Sequence, residues 1–293
     1  LLKSQGVKRE EPKDDIEVVN DELTVVTKSY NVTTGQMKKR KSIVFKETRG
    51  MTGINELKRN LKAYNSLIEK HKITIDLGDG DKECNNIIYK RRFQNNLHTC
   101  GRYYTKSVFQ TLPSECRKSI KIDGEETAEL DIKSAHCTFL STLDGIILPD
   151  DFDSYTIPKL IELGVSRDFT KGMLFPLLFS KNKLSAIKGI RLKLKEYGLS
   201  HLSAEYMIEC FVEHNPFIEE YLFSERLYGE LQYIDASIAT LVIDHFTDKG
   251  IVVLCYHDSF VIQKKYKDQL HSKIEDSYFE VLGDTTNLVI REV

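Results

Sequence analysis

The spacing of apolar positions changes several times along the chain, and each change predicts an element. From Asn55 to about His71, Leu57, Leu61, Tyr64, Leu67 and Ile68 recur at steps of three and four, the period of an amphipathic helix. Residues 127–133 (TAELDIK) read as a strand, and Ala135, Phe139 and Leu140 beyond it predict a turn into a helix. Helical spacing covers 157–198, 203–223 and 234–248. The β-prone run Ile251 to Tyr256 and the run Phe260 to Ile262 are separated only by His257-Asp258-Ser259, which predicts a hairpin with a carboxylate at its turn. A helix near Lys267–Leu282 and a short strand at Asn287–Arg291 follow. Upstream, Leu23-Thr24-Val25-Val26 and Ile43-Val44-Phe45 flank the basic run Lys38-Lys39-Arg40-Lys41, consistent with a small hairpin or extended arm. Residues 1–22 carry seven acids and four bases with few large apolar groups, the make-up of a flexible or loosely docked arm. There is no internal repeat and no low-complexity tract.

Composition narrows the class only a little. The 293 residues suit one large domain or two ordinary ones, and 41% hydrophobic with 29% charged residues excludes disordered, collagenous and membrane classes. No run of about 18 uncharged apolar residues occurs, and LLKSQGVKREEPKDD lacks a signal-peptide core. A cytoplasmic protein without a membrane partner is the expectation. The six cysteines (Cys84, Cys100, Cys116, Cys137, Cys210, Cys255) form no CxxC pair, so buried, reduced thiols are expected rather than a zinc knuckle or a disulfide framework. The net charge of -2 conceals a segregation of sign. Residues 90–121 hold eight basic side chains against Glu115 alone, and residues 167–195 hold eight against Asp168 alone. Brought together, the two stretches would form a phosphate-binding surface; on charge alone, a pair of solvated helix faces fits equally well.

Two features carry candidate chemistry. Asp131, just after an apolar strand, and Asp258, in a hairpin turn, are hard oxygen ligands on rigid supports, which is what two-metal phosphoryl transfer requires. Either one alone is an ordinary turn-starting aspartate. In Arg167 to Phe179, the residues Arg167, Lys171, Phe175 and Phe179 follow i, i+4, i+8, i+12 spacing and share one drifting helix face. Two cations followed by two aromatic rings would let one helix hold a triphosphate at one end and stack a base and sugar at the other. An amphipathic helix with snorkelling cations and buried rings produces the same pattern.

The R-x3-K-x3-F-x3-F pattern resembles motif B of the A-family DNA polymerases and the related single-subunit phage RNA polymerases. Asp131-Ile132-Lys133-Ser134-Ala135-His136 resembles their motif A, and Tyr256-His257-Asp258-Ser259 resembles their motif C in its His-Asp-Ser form; the order A, B, C is kept. Gly101-Arg102 is similar to the family's primer–template-contacting pair, and Gln232 stands where a template-contacting glutamine precedes motif C. The resemblance covers roughly residues 97–293 and implies an α+β fold, a polymerase right hand with an antiparallel palm sheet, helical fingers and a reduced thumb. The implied organisation is an N-terminal, partly flexible arm at 1–52, a thumb-like helical region at 53–96, palm at 97–156, fingers at 157–225 and palm again at 226–293.

By position, the resemblance implies that Asp131 and Asp258 hold two Mg²⁺ ions, with Mn²⁺ as a substitute, and that Arg167 and Lys171 neutralise the triphosphate. Phe175, Phe179 and His136 would meet the nucleotide, and Arg102, Gln232 and His257 the template and primer. It further implies DNA template and primer and nucleoside triphosphates as partners. Small polymerases of plasmids, phages and other mobile elements are similar, and some act with an accessory protein or make their own primers. Four departures stand out: His136 replaces a sugar-selecting glutamate, Phe179 the usual Tyr, Pro176 a glycine, and Ser259 the acid after the motif C aspartate. Pro176, lacking an N–H, is expected to kink its helix. The expectation is a template-directed DNA polymerase, with primer synthesis within its reach. Open alternatives are a ribonucleotide-using RNA polymerase or primase, a two-metal nuclease, and an inactive nucleic-acid-binding subunit.

Overall fold

The structure, a computed structural model, describes the strand backbone at 14–19, 22–30, 37–39 and 43–45, and then residues 53–78, 80–94 and 96–293. Four strands come first: β1 (Asp14–Val19), β2 (Glu22–Tyr30), β3 (Met37–Lys39) and β4 (Ile43–Phe45). Helix α1 (Ile54–Glu69) leads to β5 (Ile73–Asp76), β6 (Asp81–Glu83), β7 (Tyr89–Gln94) and β8 (Asn96–Thr105). After the short α2 (Ser114–Arg117) come β9 (Ile120–Ile122) and β10 (Glu125–Ile132). The middle of the chain is helical: α3 (Ala135–Leu143), α4 (Pro158–Ile161), α5 (Arg167–Phe179), α6 (Lys183–Glu196), α7 (Ala204–His214) and α8 (Glu225–Asp248). The hairpin β11 (Val253–Tyr256) and β12 (Ser259–Gln263), α9 (Lys267–Leu282) and β13 (Ile290–Glu292) close the chain.

The fold class is α+β. One antiparallel sheet runs β3-β2-β1-β7-β8 with β4 also on β2, and a second runs β11-β12-β10-β9-β5-β6 with β13 also on β10. In the second sheet Leu130, Ile132, Phe260 and Ile262 are buried, and α9 packs on it through Leu270, Ile274 and Tyr278 at steps of four. Long α8 lies against β8, and the approach depends on Gly229, where an added Cβ would stand 2.3 Å from Thr99 Cγ2. The first sheet bends at a bulge: Arg92 pairs with Arg102 but Phe93 with Cys100, leaving Gly101 unpaired. Gly101 has φ +88°, and a Cβ there would meet Phe93 Cε1 at 2.6 Å, so only glycine suits the position.

The long periodic segments form as the spacing predicts, most closely at α1, the β11–β12 hairpin and α9. The 157–198 segment divides into three helices because Ser166 and Asn182 each cap a new N-terminus, accepting from Phe169 N and Ser185 N. The 203–223 segment stops at His214, since Pro216 holds Asn215 out of the helical region at φ -122°, ψ 66°. Helix α5 runs on through Pro176 to Phe179. Gly189 of α6 makes room for that ring, an added Cβ standing 3.1 Å from Pro176 Cβ. Within the expected arm, β1 is paired with β7 from Asp15↔Gln94 to Val18↔Arg91, so this part is built into a sheet. The flexibility expected of residues 1–13, 20–21, 31–36, 40–42 and 46–52 lies outside the described residues. Four bases of the first basic stretch, Lys90, Arg91, Arg92 and Arg102, lie on β7 and β8 rather than on a helix face. None of the six cysteines is in a disulfide, and five are buried. Among the described residues, no helix is long and apolar enough to cross a membrane.

Candidate active site

Antiparallel pairing of β10 with β12 sets Asp131 opposite Ser259, and Ile132 N donates to Asp258 O at 3.2 Å. The two aspartates therefore sit at neighbouring ends of hydrogen-bonded strands. The turn that presents Asp258 has only two residues between Tyr256 and Ser259, and His257 takes φ +60° there, a position that favours glycine or asparagine. Ser134, just after Asp131, is also left-handed at φ +52°. Strained backbone thus flanks both carboxylates.

A cavity of about 610 Å³ opens over them. Of the ten residues singled out from the sequence, nine line it: Asp131, Asp258, His136, Arg102 and Gln232, with Arg167, Lys171, Phe175 and Phe179 from α5. His257 does not; its ring lies behind the turn against Tyr104 and Tyr256, at centroid distances of 5.6 and 5.5 Å. Burial, with Arg102's charge, pushes His257 down to about 4, so its imidazole is neutral at pH 7.

The cationic end of α5 is pre-oriented. Arg167 donates to Asp153 through Nε at 3.0 Å and Nη2 at 3.3 Å, and its guanidinium lies 5.3 Å from the centroid of Tyr155. Lys171 stands one turn on and is exposed. At the aromatic end Phe175 is 60% exposed and meets Phe179 edge-on at 5.1 Å. Tyr228 of α8 packs edge-on against both rings, at 5.8 and 5.0 Å, and His136 approaches Phe179 at 6.0 Å. Four rings make one wall. Tyr228 was not singled out from the sequence, although it precedes Gln232 by four residues and so shares its helix face.

Two ion-pair systems flank the aspartates, and the sequence reading identified neither. On one side, the Gly101 bulge turns Arg102 toward α8, where it pairs with buried Asp235 and donates from Nη2 to His136 Nε2 at 3.3 Å. Arg91 braces the bulge by donating from Nε to Gly101 O at 2.8 Å. The carboxylates of Asp235 and Asp258 hold Arg102 above its ordinary range in spite of burial. Burial pushes Asp235 up to about 6, leaving it ionised at pH 7. On the other side, Arg117 grips Glu129 with Nε to Oε2 at 2.9 Å and Nη2 to Oε1 at 2.6 Å, and Ser259 donates to the same carboxylate. Arg91, Arg102 and Arg117 are thus occupied inside the protein, and Lys121 pairs with Asp81 at 3.0 Å, so the first basic stretch is not one continuous phosphate-binding face.

The carboxyl of Asp131 is perturbed by its surroundings. Burial first, then the charge of Asp258, push it up to about 6, against the pull of Arg291 and Lys171. Arg291, opposite Asp131 on β13, donates to Asp131 Oδ2 from Nε at 2.9 Å and Nη2 at 2.7 Å. Two crowded carboxylates at the floor of a cavity suit a cation. Among the described residues, no cluster of three or more His, Cys, Asp or Glu side chains is arranged to hold a metal. Mg²⁺ accepts one or two carboxylates when substrate phosphates and water complete its shell, so Asp131 and Asp258 fit it under that condition.

No family model matches the chain, and no curated protein matches it. Among solved structures, the chain is similar to the POL domain of Pol1 from M. smegmatis in complex with DNA primer-template and dNTP. The identity is 12% and the TM-score 0.45, over 81% of this chain and 51% of that one, so the chain spans about half that structure's length.

Proposed function

We propose that the chain is a template-directed nucleotidyl transferase, adding deoxynucleotides to a DNA primer by two-metal phosphoryl transfer. In this reading residues 97–156 and 226–293 are the palm, 157–225 the fingers, and 53–96 a reduced thumb. The observation that carries it is the convergence, in one 610 Å³ cavity, of Asp131 and Asp258 with the Arg167–Lys171–Phe175–Phe179 face of α5. A nuclease would use the carboxylates, but it has no need of two cations and two rings on one helix beside them.

Two Mg²⁺ ions, or Mn²⁺, held by Asp131 and Asp258 would activate the primer 3′-hydroxyl and stabilise the oxygen that leaves the α-phosphate. The chain's own residues do the positioning. Arg167, steadied by Asp153, and Lys171 bind the triphosphate and offset its charge as pyrophosphate departs. Phe175 packs against the base, and Phe179 and His136 border the sugar. With Phe179 in place of tyrosine, the phenol nearest these rings belongs to Tyr228.

Primer extension with deoxynucleoside triphosphates tests the reading, run beside ribonucleotides and beside template alone. Extension with deoxynucleotides, lost in Asp258→Asn, is expected. Incorporation that survives Asp258→Asn would refute the mechanism. Use of ribonucleotides alone would transfer the assignment to an RNA polymerase, and product without a primer would add primer synthesis.

A further inference from the structure

Asp235 lies in the middle of α8, 3% exposed, and does not line the cavity. A carboxylate so deep is retained only against a partner, and its partner is Arg102. Arg102 faces Asp235 through Nε and His136 through Nη2, joining the buried acid to an imidazole on the cavity wall.

The chemistry of that join is constrained. A guanidinium has only donors, so the contact requires a bare Nε2 on His136. A neutral imidazole with a bare Nε2 carries its proton on Nδ1. Burial and the neighbouring guanidinium push His136 down to about 4, in keeping with a neutral ring. Without Asp235, nothing in the contact would hold the guanidinium plane toward His136.

We infer that the Asp235–Arg102 pair locks His136 in the neutral Nδ1–H form, making Asp235 a positioning residue for the imidazole that borders the nucleotide sugar. The lock rests on the polymerase reading for its purpose but not for its existence. It leaves the ring one donor, Nδ1, in one orientation. Asp235 acts through Arg102 and touches no substrate.

The test is a long-range nitrogen–proton spectrum of the full chain with ¹⁵N-histidine at pH 7, with the His136 signal identified by its loss in His136→Gln. A bare Nε2 and protonated Nδ1 are expected in the unaltered protein. Asp235→Asn should give mixed tautomers and move the ribonucleotide-to-deoxynucleotide incorporation ratio by about tenfold, the scale of one net hydrogen bond. Arg102→Lys keeps a cation for Asp235 but has no planar fork, and it too should release the tautomer. A protonated Nε2 in the unaltered protein, or an unchanged tautomer in both variants, overturns the lock. The expected tautomer in a protein that incorporates no nucleotide overturns the polymerase reading and leaves the lock standing.

Discussion

Asp131 should be a residue whose removal stabilises the protein while ending its chemistry. Its carboxyl stands at about 6, against about 3.9 for an unperturbed aspartate, which sets about 3 kcal/mol against the charged form. The sign follows from where the proton sits. A carboxyl raised in the folded state is one that folding prefers protonated, so its charge opposes folding above pH about 6 and has no effect below pH about 4. The side chain is 15% exposed, so solvent screens little of the effect. Asn mimics the neutral carboxyl and still offers Arg291 an acceptor.

Asp131→Asn is therefore expected to gain about 1.5–3 kcal/mol at pH 8, a rise in Tm of roughly 3–10 °C for a chain of this length. Thermal and urea unfolding of both proteins in chelator at pH 8, 6 and 4 measures it, with the difference shrinking toward zero at the acid end. Saturating Mn²⁺ should reverse the order at pH 8, because a cation binding only the folded aspartate form adds its binding free energy to that form. Asp131→Asn less stable than its parent at pH 8 by more than 1 kcal/mol would mean that the Arg291 pair outweighs burial and the repulsion from Asp258. A difference independent of pH would refute the assignment to this carboxyl.

Glu129→Gln strips the charge from a buried pair whose side chains are 5% and 8% exposed, and should cost about 3–5 kcal/mol in urea unfolding. Gly229→Ala should cost about 1–3 kcal/mol, because its Cβ would stand 2.3 Å from Thr99 Cγ2. Thr99→Ser removes that methyl and should recover most of the loss in the double variant, whereas additive losses would contradict the contact.

What could be read in the sequence was what local period and chain order encode. Helix α9 and the β11–β12 hairpin are local, and Arg167 to Phe179 share a face because 3.6 residues make a turn. Strands β7 and β8 went unread because arginines interrupt their alternation, and two of these, Arg91 and Arg102, prove to be structural. Arg91, 4% exposed, is held between Phe93 and Tyr103, and Arg117 lies over Tyr256 at 4.1 Å. A stretch dense in cations looks like a nucleic-acid surface until its partners are known. Those partners are far away in sequence: Asp235 for Arg102, and Arg291 for Asp131. Glu129 was within reach, since it shares a strand face with Asp131 two residues on, but its pairing to Arg117 was not.

The two aspartates are held in unlike settings. Asp258 sits in a strained turn between Arg102 on one side and the Arg117–Glu129–Ser259 system on the other, and Asp131 ends a strand under one partly exposed arginine. Buried ion pairs are a poor source of stability, since desolvation offsets most of what the charges gain. Their worth here is geometric. One pair joins β8 to α8, far apart in the chain, and the other ties α2 to nearby β10, and together they fix the strand ends between them. Arg291 differs in kind. At 44% exposed it can turn away, so in the proposed reaction it could shield Asp131 and then yield that oxygen to a metal. On the proposed function, a site so arranged would tolerate its own repulsion until a cation relieved it.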